Sequence, residues 1–233
     1  MSSPSPLPTV LPDNQGSQRI IGLTGGIGMG KSTVSSYLEK GYDLPVLDAD
    51  ILAREAVQVG SPILRAIVER YGKVILLPDG RLNRPRLGEI VFGLVSERLW
   101  LDQQIHPYVR DRFEMALAQP EYQAFPMIVL VVPLLFEARM TDLVTEIWVV
   151  HCSREKQIQR LMERSRHHSA SSSSPLTQAQ VEARINAQLD IQKKIERADV
   201  VLDNSGHQPA LFQTIDQLLG ANGLGNRKET DPN

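Results

Sequence analysis

The 233-residue chain has one cysteine, Cys152, which excludes an intramolecular disulfide and any metal site built from several thiolates. No apolar run approaches the length of a membrane span. Neither charge is in excess: 25 basic against 27 acidic side chains leave −2, so the broad basic footprint of a nucleic-acid-binding protein is missing. No internal repeat is visible. Residues 1–17 lack the basic start and apolar core of a secretory signal and instead carry Pro4, Pro6, Pro8 and Pro12, the composition of a disordered leader. Residues 221–233, with Gly223, Gly225 and a polar end, read as a flexible tail. What remains is an α/β domain of ordinary composition over 18–220, large enough for an inserted subdomain and expected in the cytoplasm. Cys152, beside a strand, reads as a buried inert thiol.

What the chain does have is concentrated in Gly25-Gly26-Ile27-Gly28-Met29-Gly30-Lys31-Ser32-Thr33, a G-x-x-x-x-G-K-S pattern. An apolar run precedes it and a helical pattern from Thr33 to Lys40, stopped at Gly41, follows. Each residue type has a task. Glycines let the backbone coil round a polyphosphate with its N–H groups inward. The following helix adds the positive end of its dipole. Lys31 can reach β- and γ-phosphates, and the Ser32 hydroxyl can ligate Mg²⁺.

Beyond the loop, Leu44 to Leu47 reads as a short strand running into Asp48-Ala49-Asp50. An isolated D-x-D most often caps the next helix, here Ile51 to Val57. A phosphate loop one crossover away favours a ligand-facing role instead. Residues 61–118 read as helical: one helix starting at Ser61-Pro62 and ending near Gly72, a turn at Asp79-Gly80, a helix from Arg84 to Leu94, and a longer one capped by Ser96. Met127 to Val132 reads as a central strand buried on both faces, and Ile147 to Val150 as a fourth strand. Ser153 caps a helix whose Arg160 and Arg164, four residues apart, share a face suited to polyphosphate. The serine-rich stretch 169–174 reads as mobile. Thr177 to Arg197 reads as one helix, which with that stretch forms a lid region over about 153–197. Asp199 to Leu202 gives a fifth strand and Leu211 to Leu219 the last helix.

Together these parts suit phosphoryl transfer, which needs positioned phosphates, charge neutralisation, an oriented nucleophile and exclusion of water. Asp50 is the candidate base and Asp48 a candidate Mg²⁺ ligand through water, a division that residue types alone leave open. His106 serves either as an acceptor contact or as a structural histidine. A regulatory GTPase is the competing class, but its N-K-x-D is absent and the D-x-x-G at Asp13 to Gly16 precedes the loop. A passive nucleotide-binding module is the other alternative.

Eight ordered stretches sharpen this: GLTGGIGMGKSTV, VLDADILAREAV (46–57), YGKVILLPDGRLNR (71–84), VF (91–92), HP (106–107), VPLLFE (132–137), ARINAQ (183–188) and ADVVLDN (198–204). With them the chain resembles the dephospho-coenzyme A kinase family from Arg19 to about Leu219. The resemblance implies ATP-dependent phosphorylation of the ribose 3′-hydroxyl of dephospho-CoA. It also implies a P-loop kinase three-layer α/β fold with a five-stranded parallel sheet, a helical acceptor-binding insertion at about 58–118 and a helical lid. By position, Asp50 and Lys31 are the expected catalytic residues. Gly25, Gly26, Gly28, Met29, Gly30, Lys31, Ser32, Thr33, Arg160, Arg164 and Asn204 are assigned to ATP. Asp50, Arg54 and His106 fall to the acceptor, and Ser32 and Asp48 to Mg²⁺. The expected partners are ATP and dephospho-CoA, with neither nucleic acid nor membrane, on a monomer or weak homo-oligomer. Three departures stand out. Met29 replaces a small residue, so its side chain must point away from the phosphates; Gly88 stands where many relatives carry arginine; and 165–175 lacks the usual Arg-Asp-Gly-like turn.

Overall fold

A computed structural model describes residues 18–168 and 175–220; the expected leader 1–17, serine-rich stretch 169–174 and tail 221–233 lie outside these residues. The chain divides into two compact units, Met1–Leu47 with Ala124–Asn233 and Asp48–Gln123. Among the described residues no helix is long and apolar enough to cross a membrane.

The larger unit is built on a five-stranded sheet of order β2-β3-β1-β4-β5. Its strands are β1 (Arg19–Gly25), β2 (Val46–Asp48), β3 (Met127–Val131), β4 (Glu146–His151) and β5 (Val200–Asp203). β1 pairs in parallel with β3 and β4, and β4 with β5. The MIVLV run of β3 is buried at every position, as expected of a strand covered on both faces. Each such side chain is worth roughly 2 kcal/mol by area, an upper bound. The chain leaves β1 toward β2 on one side and later reaches β4 on the other. The carboxyl end of β1 is therefore the point where the order reverses, where open α/β sheets bind ligands.

Helix α1 (Lys31–Tyr42) lays Val34, Tyr37 and Leu38 into the core at i, i+3 and i+4. Gly41 does not stop it. The helix runs through the buried Gly41 and ends at Asp43, which takes the left-handed conformation (φ 58°) and donates its N–H to the Leu38 carbonyl. The Tyr37 ring stacks on Phe212 at 3.8 Å, and the hydroxyls of Tyr37 and Tyr42 both donate to Asp216 Oδ1 at 2.6 and 2.7 Å. At the amino ends of the strands, Arg19 donates twice to Glu146, which also accepts from Trp148 Nε1 at 2.9 Å.

The smaller unit is helical: α2 (Ala49–Glu55), α3 (Pro62–Tyr71), α4 (Arg84–Gly93), α5 (Val95–Leu117) and α6 (Pro120–Gln123). Ser61 caps α3 by accepting from Leu64 N–H, and Gly72 follows its end at φ 77°. Asn83 caps α4. Ser96 does not cap α5: the helix begins one residue earlier, with Leu94 in the capping position and no side-chain bond. The core here is Ala56, Val57, Leu64, Ile67, Ile75, Leu82 and Leu87. Glu97 accepts two bonds from Arg70 and one from Tyr71, which hold its carboxyl down at about 2, Arg70 contributing most.

In the larger unit the remaining helices are α7 (Arg154–His168), α8 (Gln178–Asn186), α9 (Ile191–Ile195) and α10 (Gln208–Gly220). The single helix expected over 177–197 is two, separated by a turn in which Asp190 caps α9 through Gln192 N–H.

Candidate active site

The loop after β1 has the geometry its glycines permit. Gly25 lies at φ 145°, and a Cβ there would sit 2.2 Å from the Val150 carbonyl oxygen. Gly30 lies at φ 100°, with Asn204 Nδ2 2.0 Å from where its Cβ would be. A side chain at Gly25 would require backbone movement, and one at Gly30 would be strained by its φ and would displace the Asn204 amide. Helix α1 begins at Lys31 with no acidic residue in its first turn, so no carboxylate offsets the positive end of its dipole there. The N–H groups of Gly28 and Gly30 have no partner among the described residues. Lys31 Nζ is folded back onto the Gly25 and Gly26 carbonyls, 2.9 Å from each. Ser32 is exposed.

Met29 is buried, its side chain turned inward so that Sδ accepts from Gly26 N–H at 3.2 Å. Met29 N–H returns a bond to the Gly26 carbonyl at 3.3 Å. The next residue is held at both backbone groups. Ile27 N–H donates to Gln188 Oε1 at 2.8 Å, and Ile27 O accepts from Gln157 Nε2, also at 2.8 Å.

Across the loop, Gly30, Thr33, Arg160, Asn204, Gly206 and Gln208 line a cleft of about 200 Å³. Arg160 Nη2 donates to the Asn204 carbonyl at 3.1 Å, while its Nη1 is buried without a hydrogen-bond partner among the described residues. A buried guanidinium N–H is costly unless something accepts from it, and this one borders the glycine-rich loop. The Asn204 amide is already engaged: Nδ2 donates to the Met29 carbonyl at 2.9 Å, so its side chain shapes the loop. Lys156 Nζ donates to the Ser205 carbonyl. Arg164, one turn beyond Arg160, is exposed. Cys152 is buried, and burial raises its thiol above the ordinary value against the opposing charge of Arg160, as an inert thiol requires.

In the smaller unit, Asp48 is the N-cap of α2, its Oδ1 accepting from Asp50 N–H at 2.7 Å. The capping role weighed against a ligand-facing one is therefore real for Asp48. Burial raises its carboxyl above the usual range; the Asp50 N–H bond opposes this, and the Asp50 charge adds to it. Asp50 is exposed in the first turn of α2, with Arg54 four residues on. His106 Nε2 lies 3.7 Å from Asp102 Oδ1, one turn earlier on α5.

Arg54 also lines a cleft of about 640 Å³ with Arg81, Arg84 and the apolar Val57, Val59, Leu77 and Leu82. Arg84 donates to the Arg54 carbonyl at 3.3 Å, and burial, then the Arg54 charge, lower its affinity for its proton. Arg81 is paired with Asp79 at 2.6 Å. Among the described residues no carboxylate stands within ion-pair distance of Arg54 or Arg84. Sequence reasoning missed Arg81 and Arg84, although both stand in the quoted stretch 71–84, and it missed Gln157 and Gln188, whose neutral side chains give no charge signal.

Residues 19–209 match the family model described as dephospho-CoA kinase. The chain is 57% identical over 202 residues to a dephospho-CoA kinase of Trichormus variabilis, covering 87% of this chain and 97% of that protein. A crystal structure of TT1252 from Thermus thermophilus superposes with a TM-score of 0.69 at 31% identity, over 87% of this chain and 97% of that one. A dephospho-CoA kinase structure from Campylobacter jejuni, at 22% identity, gives a TM-score of 0.61 over 88% and 96% of the two chains and bears on the fold alone.

Proposed function

Because the chain belongs to the dephospho-CoA kinase family, whose reaction is the ATP-dependent phosphorylation of dephospho-CoA in the last step of coenzyme A biosynthesis, we propose how its own residues divide that work. The γ-phosphoryl group of ATP moves to the ribose 3′-hydroxyl of dephospho-CoA. The bond from γ-phosphorus to the β–γ bridging oxygen breaks, the bond to the 3′-oxygen forms, and ADP leaves. Asp50 takes the hydroxyl proton as transfer proceeds.

The donor half rests on the loop from Gly25 to Thr33. Its N–H groups and the start of α1 cradle the phosphates, and Lys31 exchanges the Gly25 and Gly26 carbonyls for phosphate oxygens. The observation that carries this reading is the buried, unpartnered Nη1 of Arg160 beside that loop. A phosphate oxygen satisfies it and receives charge stabilisation in return. Arg164, exposed on the same helix, joins it when the lid closes.

Mg²⁺ takes most of its ligands from phosphate oxygens and water. The exposed Ser32 hydroxyl at the start of α1 is a ligand of the right class, and Asp48 would hold the ion through water. Bound with ATP, the ion would supply neutralisation of phosphate charge. On the acceptor side, adjacent guanidinium groups of Arg54 and Arg84 above apolar side chains suit a diphosphate continued by a less polar chain. Asp50 and His106 contact the acceptor nearer its reacting end. The partners are ATP and dephospho-CoA, and the working place is the cytoplasm, as a monomer or weak homo-oligomer.

The test is direct. Mass spectrometry of dephospho-CoA incubated with the enzyme, ATP and Mg²⁺ should show addition of one phosphate at the 3′ position. Well-folded protein that consumes ATP without modifying the acceptor, or phosphorylates another hydroxyl, overturns the proposal.

A further inference from the structure

Ile27 is held at both of its backbone polar groups by glutamines from outside the loop, a clasp that the phosphate-binding pattern itself does not call for. Gln157, buried on α7, donates to the Ile27 carbonyl. Gln188, in the turn between α8 and α9, accepts from the Ile27 N–H. The turn that presents Gln188 is itself fixed. The neighbouring Leu189 N–H donates to Glu137 Oε1 at 3.0 Å. Glu137 ends the VPLLFE stretch after β3 and pairs with Lys194 of α9 at 3.0 Å; Lys194 is fully buried and also donates to the Pro133 carbonyl at 2.9 Å. At the end of α8 that leads into this turn, Asn186 accepts from Arg154 at 2.9 Å.

We propose that Gln188 is a positioning residue for phosphoryl transfer: it holds the Ile27 amide and so fixes the arc of the phosphate loop from the turn that Glu137 and Lys194 anchor. The role is not proton transfer, since a neutral amide does not exchange a proton in the reaction and its oxygen is committed to a backbone donor. Its effect passes through the loop. Ile27 is one residue before Gly28, the first of the free N–H groups, and a freed Ile27 amide lets the peptide plane next to that donor rotate. Gln157 holds the Ile27 carbonyl, in the same peptide plane as the Gly28 N–H, while Gln188 holds the plane before it, so each glutamine fixes a different plane and neither substitutes for the other. A neutral acceptor also suits the site, where a carboxylate would repel the triphosphate. The inference rests on the reading of this loop as the ATP phosphate site.

The experiment uses the full chain with Gln188→Met, which keeps the length of the side chain but offers only a weak acceptor. Without substrate, hydrogen exchange at the Ile27 amide should quicken, while the melting temperature stays near that of the wild type. In steady state the ATP KM should rise about 3- to 10-fold, the scale of one hydrogen bond, with the KM for dephospho-CoA unchanged. Gln188→Glu restores an acceptor at the same reach and should recover Ile27 protection in the absence of ATP. Unchanged exchange and ATP KM in Gln188→Met overturn the positioning role, as does a parallel rise in both KM values with a lowered melting temperature, which marks general loosening. If the wild-type enzyme binds no ATP, the reading of the loop falls and the positioning role with it, an outcome separate from any behaviour of the variants.

Discussion

Asp48 and Asp50 lie two residues apart and are set to different tasks by their surroundings. Asp50 is exposed and its side chain accepts no helix bond, so it is available to a hydroxyl proton; Asp48 is committed to the cap. Asp50→Asn should leave ATP binding intact and lower turnover by about 10²-fold or more. Single-turnover rates alongside nucleotide titration check this, and near-normal transfer removes Asp50 from the chemistry. Asp48 makes a separate prediction about stability. Its folded carboxyl binds a proton more tightly than the unfolded value of 3.8 implies. Its contribution is thus greatest at low pH and declines as pH rises from that value through the raised one. Asp48→Asn keeps a side-chain oxygen for the Asp50 N–H and abolishes the decline, so at neutral pH it should melt no lower than the wild type. Asp48→Ala lacks the cap and should lose about 1 kcal/mol. Thermal unfolding between about pH 4 and 7 separates the two, and a neutral-pH loss in Asp48→Asn equal to that in Asp48→Ala contradicts the account.

The turn between α8 and α9 shows how elements are fixed by partners distant in the chain. Lys194 is fully buried and its charge is matched by Glu137, a quarter exposed. Lys194→Met strands that carboxylate and should destabilise the protein by roughly 2–3 kcal/mol, discounted for the exposure of Glu137. Glu137→Gln in the same chain should return part of the loss, and denaturant unfolding of both variants measures it. A double variant no more stable than Lys194→Met would show that packing, not the pair, sets the cost. This turn also marks the limit of what sequence reveals. Val181, Ile185 and Ile191 keep helical spacing, which predicts one helix, yet Gln188, Leu189 and Asp190 are drawn to Ile27, Glu137 and Gln192. Nothing local to 187–190 encodes the first two of those bonds; the third, the Asp190 cap on α9, is a local signal that the helical spacing masked. The strands were legible because runs such as MIVLV need only burial, and the phosphate loop because its glycines are local necessities. Helix ends were less so: Gly41 packs inside α1 while Asp43 takes the left-handed turn, and Leu94, not Ser96, precedes α5. Charge patterning identified Arg160 but missed Arg84, whose importance lies in standing beside Arg54.

At the scale of the molecule, the smaller unit is one continuous segment of the chain between β2 and β3, and each unit has its own core. The larger unit offers Arg160 beside the phosphate loop; the smaller offers Arg54 and Arg84 in a cleft of their own. If the units divide the substrates between them, cation removal in one should change the apparent affinity for one substrate only. Arg160→Ala should raise the ATP KM about 10-fold, the lower end for a hydrogen bond to a charged group, and leave dephospho-CoA nearly unaffected. Arg84→Ala should raise the dephospho-CoA KM by a similar factor and leave ATP unaffected, and it removes the desolvation and, second, the Arg54 repulsion that lower the Arg84 proton affinity, so the fold should not suffer. Residues in separate sites with no shared ligand act additively. In Arg84→Ala/Arg160→Ala the two KM values should therefore each match the corresponding single variant. An ATP KM that rises with Arg84→Ala would show that this arginine serves the nucleotide, and the assignment of the cleft to the acceptor would fall while the phosphate loop kept its role.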